Sequence, residues 1–343
     1  MSRYNFGLNW DNTIEENFII FLKRACQKHG LSFFWINMCN IEKVIKQLQE
    51  HKISIDVLLD GEATFNKKDD LYIRICYCVK DNSGTVINDP DRTRAAIDKS
   101  ITHFELLNAG VDVPNTIIAR CWSPDNLILT NAEKQMLGKP FVIKPAFGYG
   151  QKGLIRNATG AKREIGDARD FDREDNFLLQ EKIEPITCSG RRAWFRIIHA
   201  FDTVIPCWWD DQKNLYEHVS SKEFKKHNLE KAVQIAIKIA EISRMSWFST
   251  EIAIDNKFNR DRFVVIDYVN DQCDLTTQSE SPGGVPDNVV KYITNKIVLS
   301  ACRVISGRRE ISKYTIFLKD KKLAYKKSVL TQSLLRNQRW KRN

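Results

Sequence analysis

Pro140-Phe141-Val142-Ile143-Lys144-Pro145 is a short apolar stretch that runs directly into the glycine-rich segment Ala146-Phe147-Gly148-Tyr149-Gly150-Gln151-Lys152-Gly153. The first part predicts a buried strand, and Gly153-Leu154-Ile155 predicts the strand that returns from the loop. Glycines in such a loop let the backbone approach a polyphosphate, and Lys144 and Lys152 flank them as cations. A flexible hairpin tip is the alternative interpretation. The segment matches neither a Walker loop, because it lacks Gly-Lys-Ser/Thr, nor a dinucleotide loop, because a strand follows it.

A second polar group lies on two later predicted strands, residues 249–255 and 263–270. Its members are Glu251, Asp255, Asp267, Asn270 and Asp271. Oxygen donors on adjacent strands could hold Mg²⁺ against substrate phosphates, because that ion takes hard oxygen ligands. For any one carboxylate, a solvated hairpin with charged ends is the simpler interpretation.

The charge of the chain is concentrated at one end. Its 343 residues carry 53 Lys and Arg against 43 Asp and Glu, a net charge of +10. Residues 307–343 hold 12 of the basic and 2 of the acidic residues, so residues 1–306 balance at 41 against 41. A basic excess suggests an anionic partner, but only this segment carries it. We expect it to dock on the body, on a partner or on an anionic surface, with a solvated helix as the alternative.

Nine cysteines are scattered without metal-ligand spacing, and no apolar leader or membrane-length apolar run appears. Cys76-Tyr77-Cys78 lies in an alternating, strand-like run, so we interpret these thiols as structural. These features favour a reducing compartment, and we expect a cytoplasmic protein.

Hydrophobic spacing predicts strands and helices in alternation through the first half of the chain. Helices are predicted over 13–29, 41–50, 95–109, 124–136 and 229–242; strands over 31–36, 53–59, 71–79, 116–119 and 177–183; a turn at 88–91; and a hairpin over 193–209 that turns near Asp202.

The ordered motifs of the chain carry a family resemblance. They are Asn88-Asp89-Pro90, Ile97-Asp98-Lys99, the run from Leu107 to Thr116, Val142-Ile143-Lys144-Pro145 with its glycine loop, Leu179-Gln180-Glu181-Lys182-Ile183, and Ile266-Asp267-Tyr268-Val269-Asn270. Together they resemble the ATP-grasp superfamily, and more narrowly the branch of glutathione synthetases, D-alanine ligases and glutamate ligases that modify ribosomal protein.

The resemblance implies an α/β fold, α+β in the C-terminal half, in which two α+β subdomains hold a nucleotide. We therefore expect four parts. They are an N-terminal doubly wound pre-ATP-grasp domain (1–110), a small subdomain with the glycine loop (111–185), a C-terminal subdomain with the metal site (186–306) and a basic tail (307–343).

The resemblance also implies roles for single residues. Lys99 and Lys144 would hold ATP phosphates, and the loop closing over them would comprise Phe147, Gly148, Tyr149, Gly150 and Gly153. The adenine contacts would be Gln180, Glu181, Lys182 and Ile183, with Glu184 as a ribose contact. The catalytic arginine would be Arg196, with Arg192 as a rival on the same face.

The implied metal ligands are Glu251 on the penultimate strand and Asp267 with Asn270 on the last. The spacing departs from the family pattern, because the position two before the asparagine is Tyr268. Residues three apart on a regular strand face opposite sides, so Asp267 and Asn270 can share an ion only across a bulge or bend. Ser249 stands where D-alanine ligases have an arginine, which disfavours that substrate.

We expect a ligase that depends on ATP and on Mg²⁺ or Mn²⁺. ATP would convert a carboxylate into an acyl phosphate, and an amine would then displace phosphate. Lys144 and the arginine would neutralise the negative charge of the phosphate that is transferred. An ATP-grasp small-molecule kinase and a non-catalytic ATP-binding regulatory protein are the alternatives. Peptide or small-molecule carboxylates and amines are the expected substrates, one of them anionic and near Arg191 or Arg192. His218 is a further candidate for the substrate site. We expect no nucleic acid on the body, and leave a homodimer and the partner of the tail open.

Overall fold

The computed structural model describes residues 1–11, 16–65, 67, 69–123, 128–148, 150–161, 163–257, 260–307 and 313–325. Its N-terminal part alternates strands and helices: β1 (Ser2–Asn9), α1 (Asn17–Lys28), β2 (Phe33–Ile36), α2 (Ile41–Gln49), β3 (Ile53–Asp60), α3 (Leu71–Asp81) and β4 (Thr85–Ile87). The four strands form a parallel sheet in the order β2-β1-β3-β4. The loops after β1 and β3 therefore leave the same edge of the sheet.

The middle of the chain forms a second, antiparallel sheet. Its elements and the helices before it are α4 (Pro90–Ile97), α5 (Lys99–Asn108), β5 (Thr116–Ala119), α6 (Asn131–Leu137), β6 (Phe141–Pro145), β7 (Ile155–Ala158), α7 (Glu164–Arg169) and β8 (Phe177–Glu181). The order is β5-β8-β6-β7, so the strand before the glycine loop pairs with both β7 and β8.

The remaining strands form a seven-stranded sheet. The elements are β9 (Thr187–Cys188), β10 (Arg191–Arg192), β11 (Trp194–Ala200), β12 (Thr203–Asp210), β13 (Leu215–His218), α8 (Ser221–Lys226), α9 (Glu230–Ser243), β14 (Trp247–Asp255), β15 (Arg262–Asn270), α10 (Asp287–Ile305), β16 (Tyr314–Phe317) and β17 (Lys322–Tyr325). The order is β15-β14-β11-β12-β16-β17, with β13 also paired to β12 and with β9 and β10 as a separate pair. Apolar side chains of α9 fill one face of this sheet, and those of α1 and α10 fill the other. The α/β class, with its α+β C-terminal half, is as predicted.

One predicted strand is wrong, because residues 71–79 lie in helix α3. Alternation and helical spacing overlap in this run, and the buried side chains follow the helical one: Tyr72, Ile75, Cys76, Cys78 and Val79. Asp70 caps the helix by accepting hydrogen bonds from the backbone N–H groups of Tyr72 and Ile73. The cap therefore decides between two patterns that the apolar residues allow.

Asp98 divides the helix predicted over 95–109 into α4 and α5. Its side chain accepts hydrogen bonds from the N–H groups of Ser100 and Ile101, which makes it the N-cap of α5. The turn predicted at 88–91 is the start of α4, with Asp89 as cap and Pro90 in the first turn. Helix α6 begins at Asn131 behind a capping box of Thr130 and Glu133, later than predicted, and residues 124–127 of that prediction lie outside the described residues. Helix α1 begins at Asn17, and residues 13–15 of its prediction likewise lie outside them.

Part of the basic segment 307–343 belongs to the folded body. Strand β16 pairs in parallel with β12, joining Thr203 to Thr315 and Val204 to Ile316, and β17 returns beside it. Residues 326–343 lie outside the described residues. The division of the chain at 110, 185 and 306 stays a prediction. Within the described ranges, every helix is too short or too polar to cross a membrane.

Candidate active site

A cleft of about 1160 Å³ lies where the three sheets meet. It brings together fifteen of the predicted site residues: Lys99, Lys144, Phe147, Gly148, Gly150, Gln180, Glu181, Lys182, Ile183, Glu184, Arg192, Arg196, Glu251, Asp267 and Asn270. Gly153 is not part of the cleft wall, and Tyr149 lies outside the described residues. Residues up to 171 positions apart in sequence, from Lys99 to Asn270, thus share one cavity.

Two lysines project into the cleft beside Asp267. Lys144 lies on β6, where its Nζ donates to the Ile266 carbonyl at 2.8 Å. Lys99 is the first residue of α5; its Nζ donates to the Gly148 carbonyl at 3.1 Å and stands 3.8 Å from Asp267 Oδ1. Withdrawal from water lowers the pKa of Lys144 to about 8; Asp267 opposes that shift, and the positive Lys99 adds to it. The two ammonium groups make this end of the cleft suited to phosphate.

The glycine loop is anchored at its start and shaped by its glycines. The Phe147 N–H donates to Asp175 Oδ2 at 2.8 Å, and burial raises the pKa of Asp175 to about 6. A Cβ at Gly148 would stand 2.2 Å from Pro145 Cγ, so only glycine fits there. Gly150 and Gly153 have positive φ angles of 55° and 67°, which glycine adopts at little cost. A Cβ at Gly153 would meet Phe171 at 3.0 Å, so this glycine serves packing under the loop.

The predicted base segment, residues 180–184, which would contact the adenine base, begins on β8 and continues beyond the end of that strand. Gln180 is 2% exposed, and its Nε2 donates inward to Thr116 Oγ1 at 2.9 Å and to the Tyr268 hydroxyl at 2.8 Å. Glu181 pairs with Lys257 and accepts from the Asn115 N–H at 3.3 Å. Beyond the strand, the two charged members pair with each other, Lys182 Nζ lying 3.2 Å from Glu184 Oε1, while Ile183 is buried. The polar side chains of this segment thus have partners within the protein, and its residues border the cleft.

The two rival arginines both border the cleft but differ in surroundings. Arg196 is mostly covered, with 17% of its side chain exposed; its guanidinium pairs with Glu251, donates to the Tyr216 hydroxyl at 2.8 Å and lies 4.1 Å from the Trp209 ring centre. Burial alone would lower the pKa of Arg196, but Glu251 raises it above the ordinary value. Arg192 is more exposed and bonds Asp211 at 2.9 and 3.2 Å. Arg196 is therefore the arginine held deep in the site.

The other substrate candidates are already engaged. Arg191 bonds Glu217 at 2.8 Å and Glu223 at 2.9 Å. His218 is buried and its Nε2 contacts the Phe317 carbonyl at 3.0 Å, away from the cleft. Asp255 pairs with Arg262 at 3.0 Å and is likewise outside the cleft wall.

The metal residues predicted on β14 and β15 meet across an irregular strand pairing. Ser249 opposes Asn270 and Glu251 opposes Asp267, so the one residue between them on β14 faces two residues on β15. A bulge of this kind re-aims side chains. Asp267 and Asn270 both border the cleft, whereas Tyr268 between them is fully buried.

We tested these residues for a divalent cation. Asp267 Oδ1 is a buried oxygen without a hydrogen-bond partner in the described structure, and Lys99 and Lys144 lower the pKa of Asp267 although burial alone would raise it. Asn270 uses only its Nδ2, toward Ser249 Oγ at 3.5 Å. Mg²⁺ commonly takes one or two carboxylates and completes its shell with phosphate and water, so this pair fits.

Glu251 differs, because Arg196 and the Trp194 Nε1, at 2.9 Å, already occupy its oxygens. In the described part of the chain, no three His, Cys, Asp or Glu side chains form a metal-binding group. Sequence reasoning did not predict that Glu251 pairs with Arg196. It also did not predict the 2.7 Å contact between Tyr268 and His103, which are 165 positions apart.

Comparison with known proteins identifies the fold. No protein-family model matches the sequence, and no curated protein matches it. Solved structures do: an ATP-grasp RimK domain protein from Sphaerobacter thermophilus is 15% identical with a TM-score of 0.58, covering 87% of this chain and 100% of that one. D-alanine–D-alanine ligase from Bacillus anthracis, complexed with ATP, is 15% identical with a TM-score of 0.59 over 90% of this chain and 99% of its own. The macrocyclase MdnC from Microcystis aeruginosa MRC, bound to a precursor peptide, is 12% identical with a TM-score of 0.55 over 86% and 99%. The chain has the ATP-grasp fold, as its motifs predicted.

Proposed function

We propose that the chain is an ATP-dependent ligase that joins a carboxylate to an amine. One observation carries the proposal: Lys99 and Lys144 converge on Asp267 under a glycine loop, in a cleft of the ATP-grasp fold. Solved neighbours of this fold include a D-alanine–D-alanine ligase and a macrocyclase with a precursor peptide. Within the fold, the motifs favour the branch of glutathione synthetases and ribosomal-protein glutamate ligases.

The reaction proposed has two steps. A carboxylate oxygen attacks the γ-phosphorus of ATP, which gives an acyl phosphate and ADP. The amine nitrogen then attacks the acyl carbon, phosphate leaves, and the amine loses a proton. No covalent bond to the protein forms, so catalysis depends on alignment and on neutralising charge.

Residues of the chain have definite tasks in this scheme. Lys99 and Lys144 hold the phosphates, and Gly148 lets the loop backbone lie close to them. Arg196 faces the same cavity and would stabilise the anionic acyl phosphate in competition with Glu251, its carboxylate partner. Asp267 and Asn270 would hold Mg²⁺ or Mn²⁺, which when bound supplies positive charge against the phosphate oxygens.

The arginines beside the cleft restrict how an anionic second substrate can bind. Arg191 and Arg192 already carry carboxylate partners, so an anionic second substrate would have to compete for them. All nine cysteines are free, which supports a reducing, cytoplasmic location.

The test is ATP-dependent mass gain in pools of carboxylates and amines, coupled to release of ADP and phosphate. Lys144→Ala and Asp267→Ala should abolish the product, and Lys225→Ala, an exposed lysine on α8, should not. A phosphorylated acceptor without free phosphate would identify a kinase instead. Tight ATP binding without turnover on any pair would favour a regulatory protein.

A further inference from the structure

Tyr268 is fully buried, although it stands next to Asp267 on the strand that borders the cleft. Its ring lies 5.3 Å below Lys144 Nζ. Its hydroxyl contacts His103 Nδ1 at 2.7 Å and Gln180 Nε2 at 2.8 Å, and the Thr116 side chain also hydrogen-bonds to it. A buried tyrosine hydroxyl with several partners is fixed in place.

The chemistry of the three groups gives these hydrogen bonds one direction. The amide nitrogen of Gln180 can only donate, so the Tyr268 oxygen accepts from it. The Tyr268 O–H is then left to donate to His103 Nδ1, which must be unprotonated. Burial lowers the pKa of His103 to about 4, so the ring is neutral near physiological pH. The second N–H of Gln180 donates to Thr116 Oγ1, whose own hydroxyl donates to the Pro114 carbonyl at 2.8 Å.

The network connects three elements of the cleft. His103 lies on α5, the helix that begins with Lys99; Gln180 lies on β8 in the predicted base segment; and Tyr268 lies on β15 beside Asp267. Of the four side chains in the network, those of His103, Thr116, Gln180 and Tyr268, only Gln180 belongs to a residue that borders the cleft; Pro114, whose carbonyl ends the network, borders it as well. A change at the Tyr268 hydroxyl therefore reaches a bound nucleotide through Gln180.

Resting on the proposed function, we infer that Tyr268 is a positioning residue that fixes the Gln180 amide and so sets how the cleft receives the nucleotide base. Without the hydroxyl, Gln180 Nε2 keeps only Thr116 Oγ1 as acceptor, so one hydrogen bond instead of two holds the orientation of the amide. Oxygen and nitrogen can then exchange places toward the base, and discrimination between adenine and guanine falls. The ring below Lys144 is untouched by this change.

The test is Tyr268→Phe, which keeps the ring and removes the hydroxyl. Loss of one buried hydrogen bond should raise the Kd for ATP roughly tenfold and lower the preference for ATP over GTP by a similar factor. Turnover at saturating ATP should change by less than about threefold. A merely structural role would lower thermal stability and leave the ATP-to-GTP preference unchanged.

Gln180→Met removes the amide and both of its hydrogen bonds and should lower the preference for ATP over GTP at least as much, which keeps the inference testable if Tyr268→Phe does not fold. In the double variant the effect of Tyr268→Phe on Kd should not add to that of Gln180→Met, because Tyr268 acts through Gln180. Tyr292→Phe is the matched control: this ring stacks on Phe317 at 4.0 Å, at the far edge of the seven-stranded sheet.

The results separate the two claims. Wild-type protein that binds no adenine nucleotide overturns the proposed function and this inference together. Wild-type protein that binds ATP, with Tyr268→Phe binding ATP and GTP in the wild-type ratio, overturns the inference alone. Fully additive effects in the double variant would also contradict it.

Discussion

Raising the pH should weaken ATP binding, because Lys144 loses its charge close to the physiological range. Its pKa is lowered to about 8 since the ammonium is withdrawn from water, and the neighbouring Lys99 lowers it further against the attraction of Asp267. Bound phosphate adds negative charge beside the ammonium, so ATP must raise this pKa again. Binding in alkaline solution is therefore coupled to uptake of a proton.

The magnitude follows from the free protein's pKa. A lysine with a pKa of about 8 is roughly nine-tenths charged at about pH 7 and roughly one-tenth charged at about pH 9. If ATP binds the charged form, its Kd rises about tenfold across that interval, or about 1.4 kcal/mol. Affinity is lost as the pH rises through the free pKa and changes little below about pH 7, because Lys144 is then charged before ATP arrives.

Isothermal titration calorimetry measures both quantities. Titrations in two buffers of different ionisation enthalpy should give an uptake of about 0.9 proton per ATP at about pH 9 and about 0.1 at about pH 7. Lys144→Arg is the control, because a guanidinium stays protonated throughout and should flatten the pH dependence. A wild-type Kd that is constant over this range would refute the reasoning, and so would an unchanged slope in Lys144→Arg.

Three further predictions concern the loop, the arginine and the C-terminal helix. Gly148→Ala should lower turnover more than Gly150→Ala, because a Cβ at Gly148 would stand 2.2 Å from Pro145 Cγ, whereas one at Gly150 would meet nothing within 4 Å and costs only the strain of a φ of 55°, about 1 kcal/mol; equal losses of ADP release would contradict this. Arg196→Met should destabilise the fold by about 3–5 kcal/mol in denaturant unfolding, because it leaves Glu251 without its cation. Arg3→Met, which breaks the exposed pair with Asp56, should cost less than about 1 kcal/mol, and similar costs for both would argue against a buried pair. Burial alone would raise the pKa of Asp202, but Lys296 and Arg303 on α10 lower it below its ordinary value. The stability that this carboxylate contributes is therefore present above about pH 4, its unfolded range, and is lost in stronger acid. Asp202→Asn should have a lower free energy of unfolding than the wild type at neutral pH, and should lose less of it in acid. Urea unfolding of both proteins at neutral and at acid pH measures this, and a variant that matches the wild type at both would contradict the prediction.

Local sequence signals were sufficient for much of the fold. The strand that ends at Pro145, the hairpin that turns at Asp202 and the helix after Leu229 have strong apolar periodicity, and the structure has each of them. Helix α3 shows where such signals are ambiguous, because its apolar residues satisfy period two and period 3.6 together. The deciding contact is the cap made by Asp70, which is local and could have been read from the sequence.

The candidate site was predictable as a set of residues and unpredictable as a set of contacts. Glycines and lysines at fixed spacing mark the loop and its cations. No spacing reveals that Arg196 neutralises Glu251, that Lys257 holds Glu181, or that His103 meets Tyr268, because each pair is distant in sequence. Whether a carboxylate is available to a metal depends on those pairings.

The departure from the family spacing has a physical explanation in the strand pairing. On a regular strand, Asp267 and Asn270 would face opposite sides, and one of them would leave the cleft. Because two residues of β15 between these pairs face only one residue of β14, both side chains border the cleft and Tyr268 turns inward. The inward tyrosine is stable only because His103 and Gln180 satisfy its hydroxyl. The unusual spacing, the bulge and the buried network therefore depend on one another, so the spacing by itself is no argument for a lost metal site.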